Sequence, residues 1–354
     1  MRDCQKMSRN LQDPTETTDE TLTENWFSSL VTLGKQVPAT SSAIDISKKP
    51  DYFDEERYKR AQQTCQKYYT NISMSSSTGL ILLLQIESIT RPLARTGKSK
   101  TVSDLYDRYT ATAKYMRKIY ETDFVDPSSE GWRYLIMVRK MHERIHTLMN
   151  KDTDKTPDAN VWVNQYDMAL TQFAFIGLFF LQPKKCAAYY IKQEEMMDIV
   201  YYWRIISYYF GIEERFNLFV HHDDTTKQTK LLERLLRHQN EELLAEPRNE
   251  VGLKMSKGFM LAFEDFVDDC SFNILDHWWY PFISLSGEKE LQPYTWSDRY
   301  KLVFFLLYYK VLFKSEFLLQ IINRFYKKKF DKFCADGDKI KSKLSKKYEN
   351  YLCE

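Results

Sequence analysis

Glycine and proline are scarce in this chain, at ten of each among 354 residues. So few punctuating residues exclude collagen-like, low-complexity and turn-dense all-β architectures. Cys4, Cys65, Cys186, Cys270, Cys334 and Cys353 lie far apart with no CxxC pair. Neither a disulfide scaffold nor a thiolate zinc ribbon is expected, and the thiols read as reduced in an intracellular, cytoplasmic protein. An excess of one charge is lacking too, with 51 Lys and Arg against 49 Asp and Glu. No nucleic-acid partner is called for. The longest apolar run, 173–181, stops at Gln182-Pro183 and falls well short of the ~20 residues of a membrane span. Residues 1–25 are polar and do not resemble a signal peptide, so translocation is not expected. Without translocation the sequon Asn71-Ile-Ser73 is a chance match.

What the chain does have is apolar residues at three- and four-residue spacing and many aromatics, 24 Tyr and 22 Phe. That periodicity predicts an all-α fold. Residues 1–50 are rich in Ser, Thr, Asp and Glu and are expected to be a mobile polar tail with one short docking helix near Trp26-Phe27 and Leu30-Val31. A folded domain over 51–330 and a basic tail over 331–354 complete the expected organisation. Within the domain the spacing predicts a helix from Asp54 to about 70 and a second starting after Ser75-Ser-Ser-Thr-Gly79. A third, capped by Thr101 or Ser103, should carry Arg108 to about 120. Further helices are expected over 131–149, through the apolar run, and over 194–209, 224–242, 251–269 and 296–329. Lysines from 327 onward alternate with Phe325, Phe330, Phe333 and Leu344, a pattern suited to peripheral contact with an anionic membrane.

The segment 137–149 holds His142 and His146, two of only six histidines. His142-Glu143-Arg144-Ile145-His146 matches HExxH, in which two histidines on one helix face bind zinc and the glutamate polarises water. A third ligand is missing at the usual spacings, and Asp152, Asp154 and Asp158 are the nearby acidic candidates. Glu143-x-x-His146 is also one half of a di-iron bundle motif, without a second copy elsewhere. The same residues read as Arg139-x-x-His142 offer one imidazole to a haem iron. A histidine on an apolar helix is more often a hydrogen-bonded core residue than a ligand, and Arg108 and Arg139 could equally pair with Asp104, Asp107 or Glu143.

Upstream, Arg108 and Thr112 stand four residues apart on one helix face. Together with the turn Thr96-Gly97-Lys98 and the pair Arg139 and His142, 30 residues beyond Thr112, the chain resembles the rubber oxygenase, or latex-clearing protein, family. That family also includes ER-bound fungal oxygenases that cleave an isoprenoid side chain. The segments beginning Trp162-Val-Asn-Gln and Tyr202-Trp-Arg-Ile are similar to its later helices.

The resemblance implies a globin-like helical fold and a haem b cofactor whose iron takes His142 as axial ligand. It makes Arg139 a haem-contacting cation and places Arg108 and Thr112 near the bound dioxygen, the co-substrate. It further implies an apolar small-molecule substrate, an isoprenoid or lipid-like alkene, and a setting at or near the ER membrane. His146 stands where the family often has a second arginine, and is carried as a cofactor contact on that basis. Ala111 replaces a lysine found in some members. Glu87 is a candidate base, with a surface role as the plainer reading. The alternatives are a haem-binding or sensor protein without turnover and, less well supported, an HExxH zinc peptidase.

Overall fold

The computed structural model describes residues 14–40, 44–151, 160–245, 247–267, 270–286, 291–349 and 351–352. Among them helices follow one another with no β-strand, as the periodicity predicts; the one isolated bridge pairs Pro38 with Asn164. In chain order the helices are α1 (Pro14–Thr32), α2 (Glu55–Lys67), α3 (Tyr69–Leu83), α4 (Glu87–Arg95), α5 (Val102–Glu121) and α6 (Glu130–Met149). Next come α7 (Gln165–Gln172), a π-turn (Phe173–Gly177), α8 (Leu178–Leu181), α9 (Gln193–Phe210), α10 (Thr225–Leu244) and α11 (Glu250–Ala262). The last are α12 (Phe272–Trp279), α13 (Trp296–Lys310), α14 (Glu316–Ala335) and α15 (Gly337–Lys347).

Local chemistry sets the boundaries that matter for the site. Thr101 caps α5 in a reciprocal capping box with Asp104, and Ser129 accepts from Trp132 N to start α6. Each cap stabilises its helix by ~1 kcal/mol. α9 ends at Gly211, whose φ of 93° is the left-handed conformation that glycine adopts without steric cost.

α3 begins well before the expected start at residue 80, and takes in the whole Ser-Thr run. Ser73, Ser76, Ser77 and Thr78 each donate to the carbonyl four residues earlier, so their hydroxyls need no water and the helix can be buried. Gly79 lets the π-turn lie directly on this helix: a Cβ there would sit 1.9 Å from the Ala174 carbonyl oxygen. Around that contact pack α2 on α9, the antiparallel pair α5 and α6, and α11 on α5.

Packing runs past both expected domain limits. Phe27 and Leu30 of α1 are buried and the helix packs on α10. Phe333, Ile340 and Leu344 are buried as well, and Tyr106 donates to the Phe333 carbonyl at 2.8 Å. The basic segment after 330 is therefore helical and docked through its apolar residues, with α15 packed on α5. The helix expected over 296–329 is broken at 311–315, where Ser315 caps α14. No single described helix is long and apolar enough to cross a membrane; α3 and α4 pass together by composition but bend by 91°. Asn71 is buried and donates to the Cys186 carbonyl at 2.9 Å, so its sequon is inaccessible in the fold.

Candidate functional site

α5 and α6 form an antiparallel pair pinned by the stacked rings of Tyr115 and Tyr134, 4.6 Å between centroids, and by Lys118 and Glu130 at 2.7 Å. Carried two turns further, that register puts Arg108 level with His142.

His142 continues the inward face of α6 that begins with Leu135 and Arg139. Its ring lies 6.3 Å from that of Phe210, and its Nδ1 is buried with no hydrogen-bond partner. Burial lowers this imidazole to about 4, because the charged form loses its hydration. The side chain is therefore neutral at physiological pH, with a nitrogen that no protein group occupies.

Arg139 is buried beside it. Its Nη1 donates to the Tyr209 carbonyl at 3.2 Å, and its Nε lies 3.6 Å from Glu143. Gly211 leaves room for this guanidinium, since a Cβ there would meet Nη1 at 2.9 Å. Desolvation lowers the Arg139 pKa, with the Glu143 carboxylate opposing the shift. His146, one turn beyond His142, has its Nδ1 2.8 Å from the Trp162 carbonyl, to which it donates. Two later segments singled out in the sequence thus close on α6: the end of α9 on Arg139 and His142, and Trp162 on His146.

Arg108 turns the other way. Its guanidinium donates to the Thr96 hydroxyl and to the carbonyls of Leu93 and Lys98, binding the turn at Gly97 to α5. Desolvation lowers its pKa. Two sequence-matched pieces, the Thr-Gly-Lys turn and the arginine, are in direct contact. Thr112 donates to the Arg108 carbonyl at 3.1 Å, which engages the hydroxyl proton and leaves the oxygen free only to accept.

Thr112 also lines a cavity of about 270 Å³ between α3, α5, α11, α13 and α14. Its wall is apolar, with Met116, Phe259, Phe263, Phe266 and Phe305 among the lining side chains. Tyr109 is the residue that sequence reasoning missed. It lines this cavity, is buried, and its hydroxyl has no partner. Burial raises its pKa, so it stays a neutral donor. Position 109 beside Arg108 was the available signal, but a tyrosine among 24 carries no distinguishing pattern. A second cavity, about 600 Å³, has a mixed wall that includes Lys35, Glu87, Arg91, Trp162 and Glu242. Glu87 is exposed there, 3.4 Å from Arg91. His142 lines neither cavity, so the structure does not bring it and Thr112 onto one surface.

The HExxH residues do not converge. His146 is committed to a carbonyl and Glu143 to Arg139, and no three His, Cys, Asp or Glu side chains form a metal cluster among the described residues. Asp152, Asp154 and Asp158 lie outside the described residues.

Residues 67–262 match the family described as "ER-bound oxygenase mpaB/B'/Rubber oxygenase, catalytic domain". Neither a curated protein nor a solved structure gives a significant match. The matched span runs from the end of α2 to the end of α11 and contains both helices of the α5–α6 pair.

Proposed function

The chain belongs to this oxygenase catalytic-domain family, and from that premise we propose that it is a haem b-dependent oxygenase acting on an apolar isoprenoid or lipid-like alkene, with dioxygen as co-substrate. The observation that carries the reading is the neutral His142 imidazole with its unclaimed buried Nδ1, inside an Arg-x-x-His sequence. The donor chemistry fits: a haem iron takes a neutral imidazole nitrogen, which His142 would supply, with the Arg139 guanidinium beside it. The bound group would supply the redox chemistry that brings dioxygen to a carbon–carbon double bond.

The protein's own residues do the rest. Arg139 holds a positive charge next to His142 in a desolvated position, where anionic substituents of a cofactor gain most from it. Arg108 braces the start of α5 against the end of α4. Tyr109 and Thr112 place one free hydroxyl proton and one acceptor oxygen on the wall of a mostly apolar cavity, a lining suited to holding an alkene chain. His146 holds the segment at Trp162 against α6 and so fixes the pitch of the helix that carries His142. The apolar lining supports a greasy small-molecule partner, and the ER setting named in the family description supports a site of action near lipid.

Reconstitution of the full chain with haemin tests the proposal. A Soret band with one haem per chain is expected, lost or shifted in His142→Ala and kept in His146→Ala. Oxygen uptake on an apolar alkene completes the test. Haem bound without uptake returns the non-catalytic haem-protein alternative, and an unaltered spectrum in His142→Ala overturns the ligand assignment.

A further inference from the structure

Of the side chains the sequence offered as membrane-facing, Phe330, Phe333 and Leu344 are buried and Phe325 is exposed. The densest run of exposed large apolar side chains lies on α13 and α14, outside the family-matched span. On α13, Trp296, Tyr300, Val303, Phe304 and Leu307 recur at helical spacing on the solvent side, with Trp296 85% and Tyr300 69% exposed. On α14, Phe317, Ile321 and Phe325 do the same at intervals of four, and Phe317 is 76% exposed. Large apolar side chains this open, in two consecutive stripes, mark a contact surface and not chance exposure.

Two further observations say what covers it. Residues 296–332 carry nine Lys or Arg against three Asp or Glu. Of the three acids, Asp298 is buried in the α13 capping box, Glu316 pairs with Lys67 and Asp331 with Arg117. Lys310, Lys314, Arg324, Lys328 and Lys332 remain on the exposed side. Two copies of this chain meeting through the face would oppose like charges, whereas a surface of negative headgroups over acyl chains matches both components. The apolar cavity also reaches this face. Its wall is shared by α13 and α14, and Phe325 and Val267, both exposed, belong to it.

We propose that the α13–α14 face docks on an anionic lipid leaflet, its aromatic stripes entering the headgroup layer and its lysines contacting the headgroups, so that the cavity mouth at Phe325 opens towards the acyl chains. An apolar substrate then passes from leaflet to cavity without crossing water. The docking surface stands on α13 and α14 alone; only the route to the cavity rests on the function proposed above.

Flotation of the full chain with phosphatidylcholine vesicles, with and without phosphatidylserine, tests this. Retention on the phosphatidylserine vesicles only is expected, weakening with salt as screening shortens to a Debye length of ~3 Å near 1 M. Trp296→Ser with Phe317→Ser, and separately Lys310→Glu with Lys328→Glu, should each reduce retention tenfold or more with an unchanged circular dichroism spectrum. In vesicles with brominated acyl chains, tryptophan quenching should fall when Trp296 is replaced by Phe. Retention that is absent, equal on both vesicle types or unchanged in these variants overturns the proposal. So does a dimer in light scattering that dissociates in the Trp296→Ser, Phe317→Ser variant. Vesicle retention by a chain that takes up no haem would sink the oxygenase reading and leave this one standing.

Discussion

The two sides of the α5–α6 pair use opposite chemistry. On the α6 side Arg139 and His146 donate hydrogen bonds to main-chain carbonyls, and the conspicuous atom is one left over, His142 Nδ1. On the α3 side of α5 the wall is aromatic and aliphatic, and the conspicuous atom is again a leftover, the Tyr109 hydroxyl. A spare imidazole nitrogen in a desolvated setting, one helical turn from the Arg139 guanidinium, suits a cofactor ligand. A spare donor in an apolar cavity suits a hydroxyl that meets a ligand. The two are separated by one helix, so they can be tested apart.

The largest effect should come from breaking the frame that both sides share. Gly79→Ala forces a Cβ into the Ala174 carbonyl, and neither partner is a flexible side-chain end. A loss upward of ~4 kcal/mol is expected, seen as loss of a cooperative thermal transition; a melt within a few degrees of the parent would show that α3 and the π-turn can separate freely. Removing residues after Ala335 strips α15 from α5. It takes Ile340 and Leu344 out of the core, and should cost about 3–5 kcal/mol, with haem uptake retained in whatever fraction stays folded. Urea melts giving no loss would restore the view of this segment as a dispensable tail.

The α6 side has its own signature in pH. The His142 imidazole is lowered to about 4, so as acid is added the unfolded chain is protonated first. Its contribution to stability is complete above the ordinary histidine value near 6.5 and is lost as pH falls towards 4. His142→Gln should flatten the stability curve of the apoprotein in that window by roughly 1–3 kcal/mol relative to the parent. A constant difference between parent and variant from pH 7 to 4 would mean that the ring titrates as if in water. The smallest structural effect belongs to Tyr109→Phe. Deleting a buried hydroxyl without a partner should leave stability level or up to ~1 kcal/mol higher, while turnover of an alkene slows; lowered stability would reveal a partner for the hydroxyl and dissolve the contrast between the two sides.

The helical class and the cap at Thr101 were legible in the sequence because each depends on near neighbours, whereas the contact of Arg108 with the Thr96-Gly97-Lys98 turn, twelve residues upstream, emerged only in the structure. The start of α3 was not legible either. Ser75 to Gly79 looks like a loop until one sees that the hydroxyls of Ser76, Ser77 and Thr78 bond back to carbonyls and that Gly79 answers a segment almost a hundred residues away. The C-terminal helices were misjudged for a related reason: lysine density advertises solvent, but Phe333 and Leu344 lie on the opposite face from most of that charge. Arg139 and His142 were found through their spacing, and their different fates, one saturated and one orphaned, depend on α9 and could only be seen in three dimensions.

The cavity also has a history within each molecule's synthesis. Its walls come from α3 near the beginning of the domain and α14 near its end, and Asn323 ties them by accepting from Thr70 and donating to the Lys67 carbonyl. At a ribosomal rate of ~5–20 residues per second, roughly 10–50 s pass between emergence of the first wall and the last. During that interval the family-matched part of the chain has been made while the aromatic faces of α5 and α11 still lack their cover. The nascent protein therefore spends its most aggregation-prone period with its greasiest surface open, and the α13–α14 segment that finally closes the cavity acts as the last stave of the barrel.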